Sequence, residues 1–261
     1  MKTLILFMIV CAIVASSFFL GLKIGRKNIN QRITSEDTLP IKRVYNLIIL
    51  DESGSMNGLQ EVSVCGVNET LKTIRNAYKN YPQQEQFVTV ATFSGSPRSE
   101  QNTCRVRREL QNITEVKDLE LSEFNPDGLT PLWDTMGKLL TELEEKVFKG
   151  DLVLVTIITD GCENSSVKYD SKKINQLVSR LDKMGWTFTY IGANQDAALA
   201  AKNMGIKNSY QYSSDYDGTR NMFEKEKRSR MKFYQRSRVA TDMRTLQDKY
   251  FDDEKEGDND K

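Results

Sequence analysis

The run Leu152-Val-Leu-Val-Thr-Ile-Ile158 limits the possible folds of this chain more than any other stretch. It is continuous, rich in β-branched residues, and free of the alternation that marks a strand with one wet face. It therefore reads as a central strand covered on both faces, as in a parallel sheet with helices above and below. Val44–Leu50 and Phe87–Phe93 read as further strands, Phe188–Ile191 as a short one and Ser209–Tyr212 as a last edge strand. Between them, apolar residues recur at helical spacing. One stripe is Leu59, Val67, Leu71, Ile74 and Tyr78. A second is Leu132, Met136, Leu139, Leu143 and Val147, with Gly150 placed to end it. A third is Ile174, Leu177, Val178, Leu181 and Met184, stopped by Gly185, and Asp196–Met204 makes a fourth helix. Gly95-Ser-Pro97 turns the chain toward an antiparallel strand around Arg105–Leu110. This order predicts an α/β fold: a doubly wound, mostly parallel, Rossmann-like sheet with one antiparallel edge strand.

A chain of 261 residues can bury one sizeable core with additions. Its formal net charge of +1 supplies no bulk field for nucleic acid, and none is expected as a partner. The sequence has no histidine, which removes imidazole zinc sites, Ser-His-Asp hydrolysis and histidine acid/base chemistry. Four cysteines are present, with Cys11 in the apolar N-terminal segment and Cys65, Cys104 and Cys162 beyond it. None shows C-x-x-C spacing, so they read as buried free thiols of a reducing compartment, with a Cys65–Cys104 bridge left open.

Residues 1–24 read as a transmembrane anchor, since Thr3 to Leu22 is almost wholly apolar and about long enough to span a bilayer. A cleaved signal peptide is the alternative, but no A-x-A-like site follows the core and Phe18, Phe19 and Leu20 prolong the run. Lys23, Arg26, Lys27 and Arg32 follow the span while only Lys2 precedes it, which places the domain of a single-pass protein in the cytoplasm. Residues 25–42 form a linker. After the α/β region (43–213) comes a charged, helical segment (214–250) with Lys225, Lys227, Arg228, Arg230, Lys232, Arg236 and Arg238. It reads as a solvated helix packed on the domain. The acidic tail, 251–261, is too polar to fold.

The first strand ends in Asp51-Glu-Ser-Gly-Ser55, a carboxylate followed by hydroxyls at alternate positions around a turn glycine. These are hard oxygen donors suited to Mg²⁺ or Ca²⁺, placed where open α/β sheets bind ligands. The central strand also closes in a carboxylate and a glycine, Asp160-Gly161. Asp127-Gly-Leu-Thr130-Pro-Leu-Trp-Asp134 puts a hydroxyl in a turn that opens a helix, with Pro131 suited to the first helical position.

On these residues the chain resembles the von Willebrand factor type A (VWA) domain family and its metal-ion-dependent adhesion site. The family motif is D-x-S-x-S, then a loop threonine, then an aspartate after the fourth strand. Asp51, Ser53, Ser55, Thr130 and Asp160 match it in order. The resemblance runs from about Arg43 to Tyr212, and Gly185 to Asp196 also looks like the corresponding stretch of bacterial members. It implies a Mg²⁺, with Mn²⁺ or Ca²⁺ as substitutes, held by the hydroxyls of Ser53, Ser55 and Thr130. Asp51 and Asp160 act through waters or as a charged outer shell. The expected function is a protein-binding module, not an enzyme, that captures an acidic residue of a partner protein. An accessory subunit of a AAA+ ATPase is the alternative that some bacterial relatives suggest. A hydrolase using Asp51 as nucleophile is weaker still, because Ser53 stands where a second aspartate is needed. Cys162 on the same loop reads as an inert thiol, Trp133 as packing, and Asn194, Gln195 and Asp196 as the cap of the following helix.

Overall fold

Every residue from Val44 to Asp51 of strand β1 (Lys42–Asp51) is buried, and alternate side chains leave for opposite faces of the sheet. Val44, Ile48 and Leu50 join one core; Tyr45, Leu47 and Ile49 join the other. The chain is seen here as a computed structural model that describes residues 41–95, 104–193, 196–240, 244–247 and 249–251. Among these, β1, β2 (Gln84–Phe93), β3 (Cys104–Asn112), β4 (Leu152–Thr159), β5 (Thr187–Ala193) and β6 (Asn208–Tyr212) form one sheet in the order β3-β2-β1-β4-β5-β6. All neighbours pair in parallel except β2 and β3. This is the mostly parallel, doubly wound sheet with an antiparallel edge that the sequence predicts.

Helices α1 (Gln60–Asn80) and α5 (Tyr216–Val239) cover one face, and α2 (Leu132–Glu144), α3 (Ser171–Lys183) and α4 (Ala197–Asn203) cover the other. A last short helix, α6 (Arg244–Gln247), adds Leu246 to the first core. β4 is buried at every position, as its composition requires. The second helix stops before Val147, because the chain folds into a turn closed by Asp151, whose Oδ2 accepts the Phe148 N–H at 2.9 Å. Val147 still packs against the second core.

The cysteines depart from expectation. Among the described residues Cys65, Cys104 and Cys162 form no disulfide, but Cys65 and Cys162 are exposed rather than buried. Cys104 packs with the second core while α1, which carries Cys65, covers the first, so the sheet separates the two sulfurs. The anchor expected over 1–24, most of the linker, Asn194, Gln195 and residues 252–261 lie outside the described residues. Among the described residues no helix is long and apolar enough to cross a membrane.

The charged segment after residue 213 belongs to the same compact unit as the sheet. Arg228 and Lys232 are exposed and Lys225, Lys227, Arg236 and Arg238 are half-buried, whereas Arg230 is fully buried. Its guanidinium crosses to the sheet and donates to Asn46 Oδ1 (3.1 Å) and Thr156 Oγ1 (2.7 Å), while its Nε donates to Glu226 Oε1 (2.7 Å). Tyr234 OH donates to Asn46 Oδ1 (2.6 Å) and Tyr250 OH to Glu226 Oε1 (3.0 Å). Burial works against the Arg230 charge, but Glu226, Tyr234 and Tyr250 together hold this guanidinium above its usual range. Lys42 Nζ donates to the Ser237 and Ala240 carbonyls at the end of α5, satisfying acceptors that the helix leaves open. Truncating Arg230 strands Glu226 in the core. Arg230→Ala is expected to cost about 3–5 kcal/mol in urea unfolding, and exposed Arg228→Ala no more than about 0.5 kcal/mol.

Candidate metal centre

β1 and β4 are parallel neighbours, so their carboxyl ends bring Asp51 and Asp160 to one edge of the sheet. Chain order runs outward in opposite directions from this pair, and such a switch point leaves an open crevice. Beyond Asp51 the chain turns through a single 3-10 turn, Gly54–Met56. The Ser53 N–H donates to Asp51 Oδ1 (2.7 Å), Ser53 Oγ and Ser55 Oγ lie 3.2 Å apart, and Ser55 Oγ donates to Asp160 Oδ1 (2.6 Å).

Thr130 comes from the loop before α2. That loop is pinned by Gly54, whose N–H donates to Gly128 O (3.0 Å), and by a two-bond bridge between Gly95 and Leu129. Gly128 has φ +77°, and a Cβ there would stand 2.0 Å from Gly95 O, so both the conformation and the close approach require glycine. Pro131, expected at the first helical position, stands instead at the N-cap of α2, one position earlier.

The two strand ends and this loop converge around Gly161. A Cβ on that residue would lie 3.2 Å from Thr130 Oγ1, 3.6 Å from Ser55 Oγ and 3.8 Å from Asp51 Oδ2. The structure thus brings together all of Asp51, Ser53, Ser55, Thr130 and Asp160. Asp51, Ser53, Thr130 and Asp160 are buried, and Ser55 is exposed, so the cluster reaches solvent through one hydroxyl. A cleft of about 660 Å³ is lined by residues that include Asn57, Gln60, Phe124, Asp127 and Tyr216 and by none of the five donors.

The donor set suits a hard divalent cation: hydroxyl and carboxylate oxygens converge around the Cβ position that Gly161 leaves empty. Among the described residues no three His, Cys, Asp or Glu side chains gather as a metal cluster, so a cation here would rely on hydroxyls. Burial pushes the Asp51 carboxyl up from 3.8 to about 6. Hydrogen bonds from Thr159 and Ser53 work the other way, and the charge of Asp160 adds to the rise. Tyr212 is pushed up too, chiefly by burial and then by Asp160 and Asp51; its hydroxyl is buried without a hydrogen-bond partner among the described residues.

Several supporting residues escaped the sequence reading. Thr159 Oγ1 donates to Asp51 Oδ2 (2.5 Å), Ser214 Oγ donates to Asp160 Oδ2 (3.2 Å), and Asn164 Oδ1 accepts the Thr130 N–H (2.8 Å). Asn164 has a local signal only as part of a glycosylation triplet, which conceals its structural use. Asp134, at the start of α2, accepts the N–H groups of Val167, Lys168 and Tyr169 and so fixes the loop after Asp160. Trp133 packs against the second core, and Asp196 caps α4 by accepting the Leu199 N–H (2.9 Å).

No protein-family model matches the sequence, and no curated protein matches it. Among solved structures, the pilus adhesin SpaC from Lactobacillus rhamnosus GG aligns with a TM-score of 0.56 and 14% identity, over 74% of this chain and 31% of SpaC. The von Willebrand factor type A protein from Catenulispora acidiphila aligns at 0.46 and 15% identity, over 73% of this chain and 43% of that one. The SpRpn10 VWA domain aligns at 0.46 and 12% identity, over 72% of this chain and 95% of that domain. The chain therefore spans less than half the length of SpaC and of the C. acidiphila protein. At these identities the likeness is one of fold alone.

The buried Asp51 gives the cation-free protein a pH signature. The folded state holds this proton more tightly than the unfolded chain, whose carboxyl titrates near 3.8. The stability so gained is complete below about pH 4 and is lost as pH rises through about 6. In EDTA, Asp51→Asn is expected to be more stable than the parent at about pH 7, by at most about 3 kcal/mol, and to lack this loss. Urea midpoints across the range provide the check, and a less stable variant at about pH 7 would contradict it.

Proposed function

We propose that this chain is a metal-dependent protein-binding module, not an enzyme, that takes an acidic residue of a partner through Mg²⁺. One observation carries the reading: Thr130 Oγ1 from one loop, and Ser55 Oγ and Asp51 Oδ2 from the end of β1, surround the same space beside Gly161 at the end of β4. The hydroxyls of Ser53, Ser55 and Thr130 would hold the ion, with Asp51 and Asp160 supplying charge close by. A bound Mg²⁺ would supply a Lewis acid with exchangeable positions, and Mn²⁺ or Ca²⁺ meets the same oxygen chemistry.

The rest is the work of the chain's own groups. Thr159 and the Ser53 N–H occupy the Asp51 oxygens and fix that carboxylate. Asp160 accepts from Ser55 and Ser214, which orients the exposed hydroxyl. Asn164 clamps the backbone of Thr130. Neutral hydroxyls offset little of the cation's charge, which favours a partner carboxylate as a further ligand. The absence of histidine leaves no imidazole acid or base for hydrolysis. The pilus adhesin SpaC is similar in fold, which agrees with an interaction role. The apolar segment at 1–24 would tether the module to a membrane.

The test is capture of a partner from membranes by the full chain, with Mg²⁺ or with EDTA. EDTA, Asp51→Ala and Thr130→Ala are each expected to abolish capture, with the circular-dichroism spectrum unchanged. Capture that survives both EDTA and Asp51→Ala refutes the mechanism. Mg²⁺ affinity is further expected to fall about tenfold per pH unit below about pH 6, as Asp51 takes up its proton. Calorimetric titration measures that slope.

A further inference from the structure

Glu52 lies between Asp51 and Ser53, and its carboxylate is tied to groups outside the donor cluster. It is completely buried, at 0% exposure. Its Oε1 accepts from Arg107 Nη2 (3.1 Å) and the Asn125 N–H (2.6 Å), and its Oε2 accepts from Arg105 Nη1 (3.0 Å) and Arg107 Nη2 (3.2 Å). Its backbone is used as fully: the N–H donates to Phe93 O (2.8 Å), and the carbonyl accepts the Asp127 N–H (3.0 Å). One residue thereby joins the end of β1 to the end of β2, to the edge strand β3, and to the loop that leads to Thr130. The arginines are fixed in turn, Arg105 by Ser94 Oγ (3.2 Å) and Arg107 by Thr92 Oγ1 (3.0 Å).

Burying a carboxylate is costly, and a neutral residue could turn the same corner without that cost. What the charge adds is direction. Four charge-assisted bonds come from two elements, and they hold both the 51–55 turn and the 125–127 stretch by a single side chain. We propose that Glu52 is the positioning residue of the cation site: it sets the Thr130 loop against the Ser53–Ser55 turn, and its arginine partners keep its own charge away from the ion. This rests on the metal-binding reading above and assigns that site a determinant outside its oxygen donors. Groups that orient a ligand without touching the metal typically govern about 10–100-fold in affinity.

The experiment titrates the purified full chain with Mn²⁺, reading free Mn²⁺ by electron paramagnetic resonance, with affinities referred to the folded fraction. Arg108→Gln is the control. Arg108 also lies on β3 and pairs with Glu123 (2.8 Å), but it does not touch Glu52. Glu52→Gln is expected to weaken Mn²⁺ binding about tenfold or more, because its amide sets a donor against the arginine donors. Arg108→Gln should lower the melting midpoint and leave the affinity unchanged. If Glu52→Gln loses no more affinity than Arg108→Gln, the pair is merely structural and the proposal is overturned. If Glu52→Gln does not fold, the double variant Arg105→Gln, Arg107→Gln decides: the same loss supports positioning, and parental affinity overturns it. A parent chain that binds no Mn²⁺ removes the metal reading itself, and this proposal with it.

Discussion

The parallel pairing of β1 with β4 is the constraint on which the rest of the structure depends. It puts two strands, buried over Val44–Asp51 and Leu152–Thr159, side by side at the centre of the sheet, and an aspartate ends the first and follows the second. The pair is also the switch point, because β2 and β3 lie to one side and β5 and β6 to the other. Helices that return on opposite faces cannot close over the strand ends there, so a crevice follows from topology. Hydrophobic burial on both faces fixes the register, and the register delivers the carboxylates. A slip of one residue would exchange the two cores along β1 and turn Asp51 away from Asp160.

The same face of the sheet carries a polar layer that burial alone would not choose. Asn46, Gln86, Thr156 and Thr189 sit among aliphatic neighbours and are satisfied by one another and by Gln84, Arg230 and Tyr234, with Glu226 accepting from Arg230 in turn. An apolar interface could slide or rotate with small loss, whereas this layer has one arrangement that satisfies its donors. It therefore sets where α5 lies. The N-terminal end of α5 follows Ser214, which donates to Asp160. Helix placement and site geometry are thus set from the two ends of one element.

The fold was legible because its signal is repeated. Each strand and helix stripe states the same alternation, and an error of one to three residues at an end, as at Pro131 or Val147, changes no neighbour relation. The donors were legible because Asp51, Ser53, Ser55, Thr130 and Asp160 recur in a known order. What supports them was not. Asn164 lies 34 positions from Thr130, and Ser214 lies 54 from Asp160. Such pairs are made by the fold and leave no local pattern. Arg230 shows the same limit in a second form. In sequence it is one of a run of basic residues on a solvated helix, and only the packing angle of α5 singles it out for the core.

The electrostatics of the strand ends explain why hydroxyls matter as much as charges. Asp51 is desolvated and sits near Asp160, so its ionised form is costly without a cation. A third carboxylate among the donors would deepen that repulsion in the cation-free state and, with an ion bound, would use up the charge a partner needs. Serine and threonine donate oxygens without either effect. Glu52 would be that third carboxylate, since it stands between Asp51 and Ser53 in the chain. The two arginines of β3 hold it toward the edge strand, where its charge is compensated and serves to align the loop. The chain thus keeps a full negative charge within the motif while withholding it from the cluster, and this separation leaves room for an acidic group from outside.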